Sequence, residues 1–217
     1  MKRNWFARHP IGFMALYFLL YLSVFNFLET QISMPRVLLV HCRLDDLIPF
    51  CKYAILPYFA WFAWIPFTLF YLLWKAPRED FWRLCLPLFD GMTIALACYV
   101  ILPTGLDLRP YYVPGTDLFA RAVRMLYRTD TATNVCPSIH SVTLMLAYHR
   151  CRLFEEPRRR WMRPAADVLC FSIVCSTMLL KLHSCIDVVL GALLALVLDA
   201  LFNRAAERSE QPQIWHA

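Results

Sequence analysis

Long apolar runs recur along the chain, and they restrict the possible folds more than any other feature. Six of them approach the ~20 residues that an α-helix needs to cross a bilayer. They cover residues of about 11–28, 53–74, 86–103, 138–154, 165–182 and 185–203. The chain is 59% hydrophobic and 18% charged, whereas a soluble domain is about 45–50% apolar and about 25% charged. The sequence therefore predicts an all-α protein, a single-domain bundle of six transmembrane helices over residues 1–217.

The distribution of basic residues predicts the orientation of this bundle. With the N-terminus in the cytoplasm, fourteen Lys and Arg residues fall on inner segments and eight on outer segments. This bias follows the positive-inside rule and places both termini in the cytoplasm. Because no basic domain with interleaved aromatic residues lies outside the apolar runs, a nucleic-acid partner is not expected. The short chain without soluble appendages favours a bacterial inner membrane.

Two short motifs lie at the outer ends of predicted spans. One is Cys136-Pro137-Ser138-Ile139-His140, and the other runs from Ser176 to Asp187 and includes His183. A His four residues before an Asp is expected to share one helix face with it, so that Asp187 could orient His183 and make it more nucleophilic. The alternative is an interfacial His beside an Asp that caps a helix.

Two histidines and a carboxylate at a bilayer surface indicate phosphoryl chemistry on a lipid. His140 is the candidate general acid for such a reaction, because the alkoxide that leaves a lipid phosphate needs a proton from a group whose pKa is near the working pH. Pro137 and Ser138 can open a helix whose free N–H groups would favour a bound phosphate. The alternative is an ordinary capped helix whose fourth residue happens to be His.

Three cations are candidates for holding the phosphoryl oxygens: Arg109, Arg128 and Lys181. All three lie in predicted outer segments. Arg121 and Arg124 are better explained as solvated charges of a short amphipathic stretch over residues 117–128.

The remaining residues suggest no metal and no cofactor, because no Cys/His spacing resembles a zinc site. Most of the nine cysteines lie in apolar runs, and only Cys42 and Cys51 share a predicted outer loop where they could pair. Trp61 and Trp64 are expected to face lipid or the interface.

Taken together, Pro-Ser-x-His at residues 137–140 and Ser-x6-His-x3-Asp at residues 176–187 resemble the second and third signatures of the type 2 phosphatidic acid phosphatase superfamily. Arg109-Pro110 resembles the end of its first signature. The resemblance implies a helical membrane phosphatase with His183 as the nucleophile, Asp187 as its partner and His140 as the general acid. It also implies Arg109 and Ser138 as phosphate ligands.

Three positions depart from the pattern of that family: Leu102 replaces a lysine, Ile139 a glycine and Thr177 an arginine. Lys181 and Arg128 are the candidates to replace the two missing cations. The expected function is metal-independent hydrolysis of a lipid phosphomonoester or diphosphate, such as phosphatidic acid or a polyprenyl diphosphate, at the outer face. Two alternatives stay open: transfer of a phospho-head group between lipids, as in the similar sphingomyelin synthases, and a catalytically impaired lipid-binding protein.

Overall fold

The computed structural model describes residues 8–32, 36–143, 161 and 163–210, and the regular structure in them is almost entirely helical. The prediction of an all-α protein is confirmed. Two strands of two residues each are the exception, β1 (Leu38–Leu39) and β2 (Thr104–Gly105). The helices are α1 (Pro10–Gln31), α2 (Arg43–Leu47), α3 (Ile55–Lys75) with a 3-10 turn before it (Lys52–Ala54), α4 (Arg78–Ile101), α5 (Leu118–Thr129), α6 (described over 139–143), α7 (Arg163–Leu179) and α8 (Cys185–Glu210).

Four helical segments are long and apolar enough to cross a membrane: Pro10–Gln31, Lys52–Lys75, Arg78–Ile101 and Cys185–Phe202. They overlap the first, second, third and sixth of the predicted spans. The fifth predicted span coincides with a shorter apolar helix, Pro164–Leu179. Of the fourth, 138–154, the part beyond residue 143 lies outside the described residues. Several long apolar helices are consistent with an integral membrane protein.

Helix α4 begins well before the third predicted span, at Arg78 rather than near residue 86. The apolar pattern missed its first two turns because they are charged. Glu79 and Asp80 lie in the first turn, where carboxylates interact favourably with the positive end of the helix dipole. Pro77 directly precedes the helix. Proline is tolerated at a helix start, because the N–H that it lacks would have no intrahelical partner there.

Helix α4 is the centre of the bundle. It packs against α1, α3 and α8, while α3 also packs against α7. Its inward side chains, such as Phe81, Leu84 and Leu88, are fully buried. The outward side chains of α1 and α3 are largely apolar and exposed, as expected for helices that face lipid.

Six helix ends meet at one end of the bundle: the last turns of α1, α4 and α7 and the first turns of α3, α6 and α8. Parallel pairing of Leu38 with Thr104 joins the chain after α1 to the chain after α4. The backbone N–H of Cys51 donates to the carbonyl of Leu179 at 3.0 Å, which joins the start of α3 to the end of α7. This end carries both histidine motifs.

Gly191 allows α6 and α8 to approach closely at that end. A Cβ at this position would lie 2.5 Å from the carbonyl oxygen of Ser138 and 3.1 Å from Cβ of Ser141. The first of these atoms belongs to the backbone and cannot rotate away. The close crossing therefore depends on glycine, and it sets the distance between the start of α6 and the start of α8.

We expect Gly191→Ala to destabilise the protein even though alanine favours helix formation by about 1 kcal/mol. The added methyl group must push α6 away from α8, and such overpacking costs about 1–3 kcal/mol. Thermal unfolding in detergent, followed by tryptophan fluorescence, measures the change. Leu190→Ala is the control, because Leu190 is exposed and its truncation leaves the crossing intact. Equal melting temperatures for Gly191→Ala and the wild type would contradict this role.

Candidate active site

His140, His183 and Asp187 form one chain of hydrogen bonds. Nδ1 of His183 lies 2.8 Å from Oδ2 of Asp187, and Nε2 of His183 lies 3.2 Å from Nδ1 of His140. An ionised Asp187 can only accept, which assigns the proton of a neutral His183 to Nδ1 and a lone pair to its Nε2. Nδ1 of His140 then donates to that lone pair. The three side chains that the motifs predicted are brought together.

The route by which His183 reaches Asp187 differs from the expectation. Helix α8 begins at Cys185, so His183 lies in the turn before the helix and does not share a helix face with Asp187. The turn folds back, and His183 contacts the first turn of α8. Asp187 also accepts from the N–H of Val188 with Oδ1 at 3.0 Å. The predicted pairing with His183 and the alternative, a carboxylate at the start of a helix, therefore each describe part of the environment of Asp187.

Two aromatic side chains of α3 hold His140. The ring centroid of Trp61 lies 4.5 Å from that of His140, and the centroid of Tyr58 lies 5.1 Å away. Nε1 of Trp61 donates to Oγ1 of Thr143 at 3.0 Å, so the expectation that Trp61 faces lipid or the interface was wrong. Nε2 of His140 is buried and has no hydrogen-bond partner among the described residues.

Asp45, on α2, supports the turn that carries His183. Its Oδ2 accepts from the Ser184 hydroxyl at 2.6 Å and from the N–H of Cys42 at 2.8 Å, and its Oδ1 accepts from the N–H of Cys185 at 2.8 Å. Burial alone would raise its pKa, but these hydrogen bonds, led by that from Ser184, outweigh it and lower the pKa of Asp45 to about 2. Asp45 is thus ionised and caps the start of α8.

Lys181 holds the same turn from the other side and is not placed as a phosphate ligand. Its backbone has φ of 53°, and its buried ammonium donates to the carbonyls of Asp45 at 2.7 Å and Ile48 at 2.5 Å. These bonds direct the charge towards α2. The sequence predicted that this cation would bind phosphate near His183, but its ammonium group binds the backbone carbonyls of the α2 region instead.

The other predicted phosphate ligands also make different contacts. Arg109 donates to the carbonyls of Asp130 and Thr131 at 2.7 Å each, and its guanidinium lies 4.6 Å from the ring centroid of Tyr127. Arg128 is exposed on α5. Ser138 is fully buried, and its hydroxyl caps α6 by accepting from the N–H of Ser141 at 3.4 Å.

A cavity of about 240 Å³ opens beside the two histidines. Its walls are mostly apolar and aromatic, and they include Tyr21, Phe25, Tyr58, Trp61, Phe62 and Tyr99. Its titratable side chains other than tyrosines are His140, His183 and Asp130. Within the described part of the chain, none of the lining residues is Lys or Arg, so none of the predicted cations lines the cavity.

Asp130 is the titratable lining residue, other than tyrosines, that the sequence analysis missed. It follows α5, and burial raises its pKa to about 6 against the opposing charges of Arg109 and His183. The loop after it is held by Glu29 at the end of α1, which accepts from the N–H and hydroxyl of Thr131 and from the side-chain amide of Asn134. The polar run over residues 129–134 was the signal that could have identified this loop.

Comparisons of the chain with protein-family models, with curated proteins and with solved structures find no match. Function is therefore inferred from the side chains of the site.

We expect Asp45→Asn to lower the free energy of unfolding by about 1–3 kcal/mol, because the amide cannot satisfy all three donors that now bind the carboxylate. The wild type should lose this advantage as the pH falls from the ordinary value of 3.8 towards 2, since protonation removes the charge that the folded state stabilises. The Asn variant should not show that loss.

Thermal unfolding as a function of pH measures both effects. The adjacent Asp46→Asn is the control: Asp46 is exposed and pairs with His41 at 2.9 Å, away from the turn. If both variants unfold at the same temperature as the wild type, Asp45 does not hold the turn.

Proposed function

We propose that this protein is a membrane lipid phosphatase that transfers the phosphoryl group of a lipid to water through a phosphohistidine on His183. The observation that supports this most strongly is the hydrogen-bonded series from Asp187 through His183 to His140 at 2.8 and 3.2 Å. The substrate is a lipid phosphomonoester or diphosphate of the phosphatidic acid or polyprenyl diphosphate type. Membership of the type 2 phosphatidic acid phosphatase superfamily is part of the proposal, supported by the two histidine motifs.

In the first step, Nε2 of His183 attacks phosphorus while the bond to the leaving oxygen breaks. The Nδ1 proton stays on the ring and is held by Asp187, which stabilises the positive charge that develops on the imidazole. Because Asp187 is 0% exposed, its charge acts in a medium of low dielectric constant, where it interacts more strongly than in water.

His140 acts as an imidazolium: it gives its Nδ1 proton to the departing oxygen, and the neutral imidazole that remains then takes a proton from the water that attacks phosphohistidine. Phosphate leaves, and both histidines return to their starting state. The 3.2 Å separation of the two nitrogens is too short to admit a phosphoryl group between them. Substrate binding therefore has to separate the two rings.

The side of the cavity between α1 and α3 supports the entry of a lipid from the bilayer. Leu22 on α1 and Phe62 on α3 line it, yet they are 59% and 54% exposed on the surface of the bundle. An acyl or prenyl chain in the bilayer could enter between α1 and α3 while the phosphate reaches the histidines. The proposal includes six spans, cytoplasmic termini and a site at the outer face of a bacterial inner membrane, on the basis of the apolar runs and the basic residues.

His183→Ala should lower turnover of a lipid phosphate by at least about 10³-fold, because the nucleophile is lost. His140→Ala should lower it by about 10²–10⁴-fold, the usual contribution of general acid–base catalysis. Release of free phosphate from phosphatidic acid and polyprenyl diphosphate by detergent-solubilised protein is the measurement. His41→Ala is the control, since His41 is exposed and pairs with Asp46. Equal activity in all four proteins would contradict the proposal, and absence of activity in the wild type would favour a non-catalytic lipid-binding protein.

The second candidate function is transfer of a phospho-head group from one lipid to an alcohol of another. Asp130 lines the cavity together with Tyr58, Trp61 and Phe62, and no Lys or Arg is among the described lining residues. A carboxylate beside aromatic faces repels a phosphate dianion but attracts an ammonium group. A zwitterionic phosphodiester lipid fits this charge distribution better than a phosphomonoester does. The same attack by His183 would then break the bond to the diacylglycerol oxygen, which leaves as the alcohol, and place the phospho-head group on the histidine nitrogen as a phosphoramidate; the hydroxyl of the second lipid then takes the group from histidine.

Asp130→Asn discriminates the two candidates. If the substrate is a monoester, removing the negative charge should raise kcat/KM; if it carries an ammonium group, kcat/KM should fall. In either case the difference from the wild type should disappear as the pH falls below about 6, because Asp130 is then protonated.

Assays with phosphatidic acid and with phosphatidylcholine, each with and without an added diacylglycerol or ceramide acceptor, supply both readouts. Asp107→Asn is the control, because Asp107 is exposed and does not line the cavity. No change in kcat/KM with any of the substrates would show that Asp130 does not interact with the head group.

A further inference from the structure

Two cysteines meet beside the turn that carries His183. The Sγ atoms of Cys42 and Cys185 and a carboxylate oxygen of Asp45 all lie within 4.8 Å of one another. Cys42 precedes α2, and Cys185 is the first residue of α8, two positions after His183. Both are half-buried free thiols, as is Cys51, so the pairing of Cys42 with Cys51 considered from the sequence is not present.

Asp45 fixes the backbones of both cysteines. Its Oδ2 accepts from the N–H of Cys42 and its Oδ1 from the N–H of Cys185, each at 2.8 Å. The two residues therefore lie on either side of one carboxylate group, although they are far apart in the sequence. A disulfide requires the sulfur atoms to approach to about 2 Å, so the two side chains have to rotate towards each other from a separation that is already within 4.8 Å.

We propose that Cys42 and Cys185 form a disulfide that locks the α2 loop, residues 42–48, onto the turn carrying His183. The oxidant is a second disulfide, either a small molecule or a thiol–disulfide oxidoreductase. One thiolate attacks it to give a mixed disulfide and releases one thiol; the other cysteine thiolate then displaces the second thiol. Two electrons pass from the cysteine pair to the oxidant, whose two sulfurs leave as thiols.

A metal ion is a weaker explanation of the same cluster. The Asp45 oxygens already accept three hydrogen bonds, from the hydroxyl of Ser184 and from the N–H groups of Cys42 and Cys185. Metal coordination would compete with these partly buried backbone donors for the same oxygens. The cluster offers three ligands among the described residues, whereas a structural zinc site normally has four.

The disulfide would act on the position of His183. In the thiol form, the α2 loop is held to the turn by hydrogen bonds from Lys181 and Ser184 and by those that Asp45 accepts from the backbone. Hydrogen bonds of this kind open transiently, but a covalent link does not. Oxidation would thus reduce the opening of the turn. The orientation given in the proposed function would place the cysteine pair in an oxidising compartment, and that part of the inference rests on the proposed function. Formation of the disulfide in purified protein does not depend on this orientation.

The test uses the full chain in detergent, first reduced and then incubated with oxidised glutathione. Free thiols are blocked with N-ethylmaleimide, and a digest is examined by mass spectrometry. We expect a linked peptide pair containing Cys42 and Cys185 that lacks the mass of two hydrogen atoms. It should be absent from Cys42→Ser and retained in Cys51→Ser, which removes the neighbouring cysteine of the same loop. Hydrogen–deuterium exchange at residues 180–186 should slow on oxidation and recover with reductant.

Three outcomes would overturn the proposal: glutathione adducts on Cys42 or Cys185 without a link between them, a link from Cys42 to Cys51, or stoichiometric zinc binding by the reduced protein that requires both cysteines and prevents the link. The exchange measurement needs no substrate. A failed phosphatase assay with a formed link would therefore count against the proposed function and not against the disulfide.

Discussion

The site depends on one buried carboxylate. Asp187 is 0% exposed, and a buried charge without partners would be too costly to keep. Its side chain binds Nδ1 of His183 and the N–H of Val188, and its carbonyl accepts from the N–H of Ser138 at 3.0 Å. One residue therefore orients His183, lies in the first turn of α8 and positions the start of α6, which carries His140. Loss of any of these contacts would leave a polar group unpaired in an apolar surrounding.

The surroundings of Asp187 explain why the turn before α8 keeps its shape. On the side of α2, Asp45 and Lys181 join the turn to the α2 loop through buried hydrogen bonds. On the side of the bundle, Gly191 lets α8 contact the backbone of α6. The histidines are thus held by polar contacts on the side of α2 and by close packing towards the core. The cavity lies between α1, α3 and these contacts, and its walls there are mostly apolar.

The sequence predicted the four long apolar helices, the shorter helix over Pro164–Leu179 and the three side chains of the hydrogen-bonded series, because apolar periodicity and short motifs are local signals. It predicted three cations at the site, whereas no Lys or Arg is among the described residues that line the cavity. Lys181 and Arg109 are near the motifs in the sequence, but backbone carbonyls of distant loops take up their charges. Asp130 was missed, and Trp61 was assigned to lipid or the interface. Each reaches the cavity through the packing of α5 or α3, which no local pattern encodes. The start of α4 was misplaced because charged residues in its first turns interrupt the apolar pattern, although Phe81 and Leu84 in these turns are fully buried.

The most direct test of the central claim is detection of the covalent intermediate. Wild-type protein should be mixed with a lipid radiolabelled in its phosphate, quenched within the first turnover in alkali, where phosphohistidine is stable, and mapped by peptide sequencing. Acid-labile label on His183, absent from the His183→Ala protein, is the predicted result. Turnover of the lipid by the wild type without any label on His183, or with label on a different residue, would contradict the mechanism.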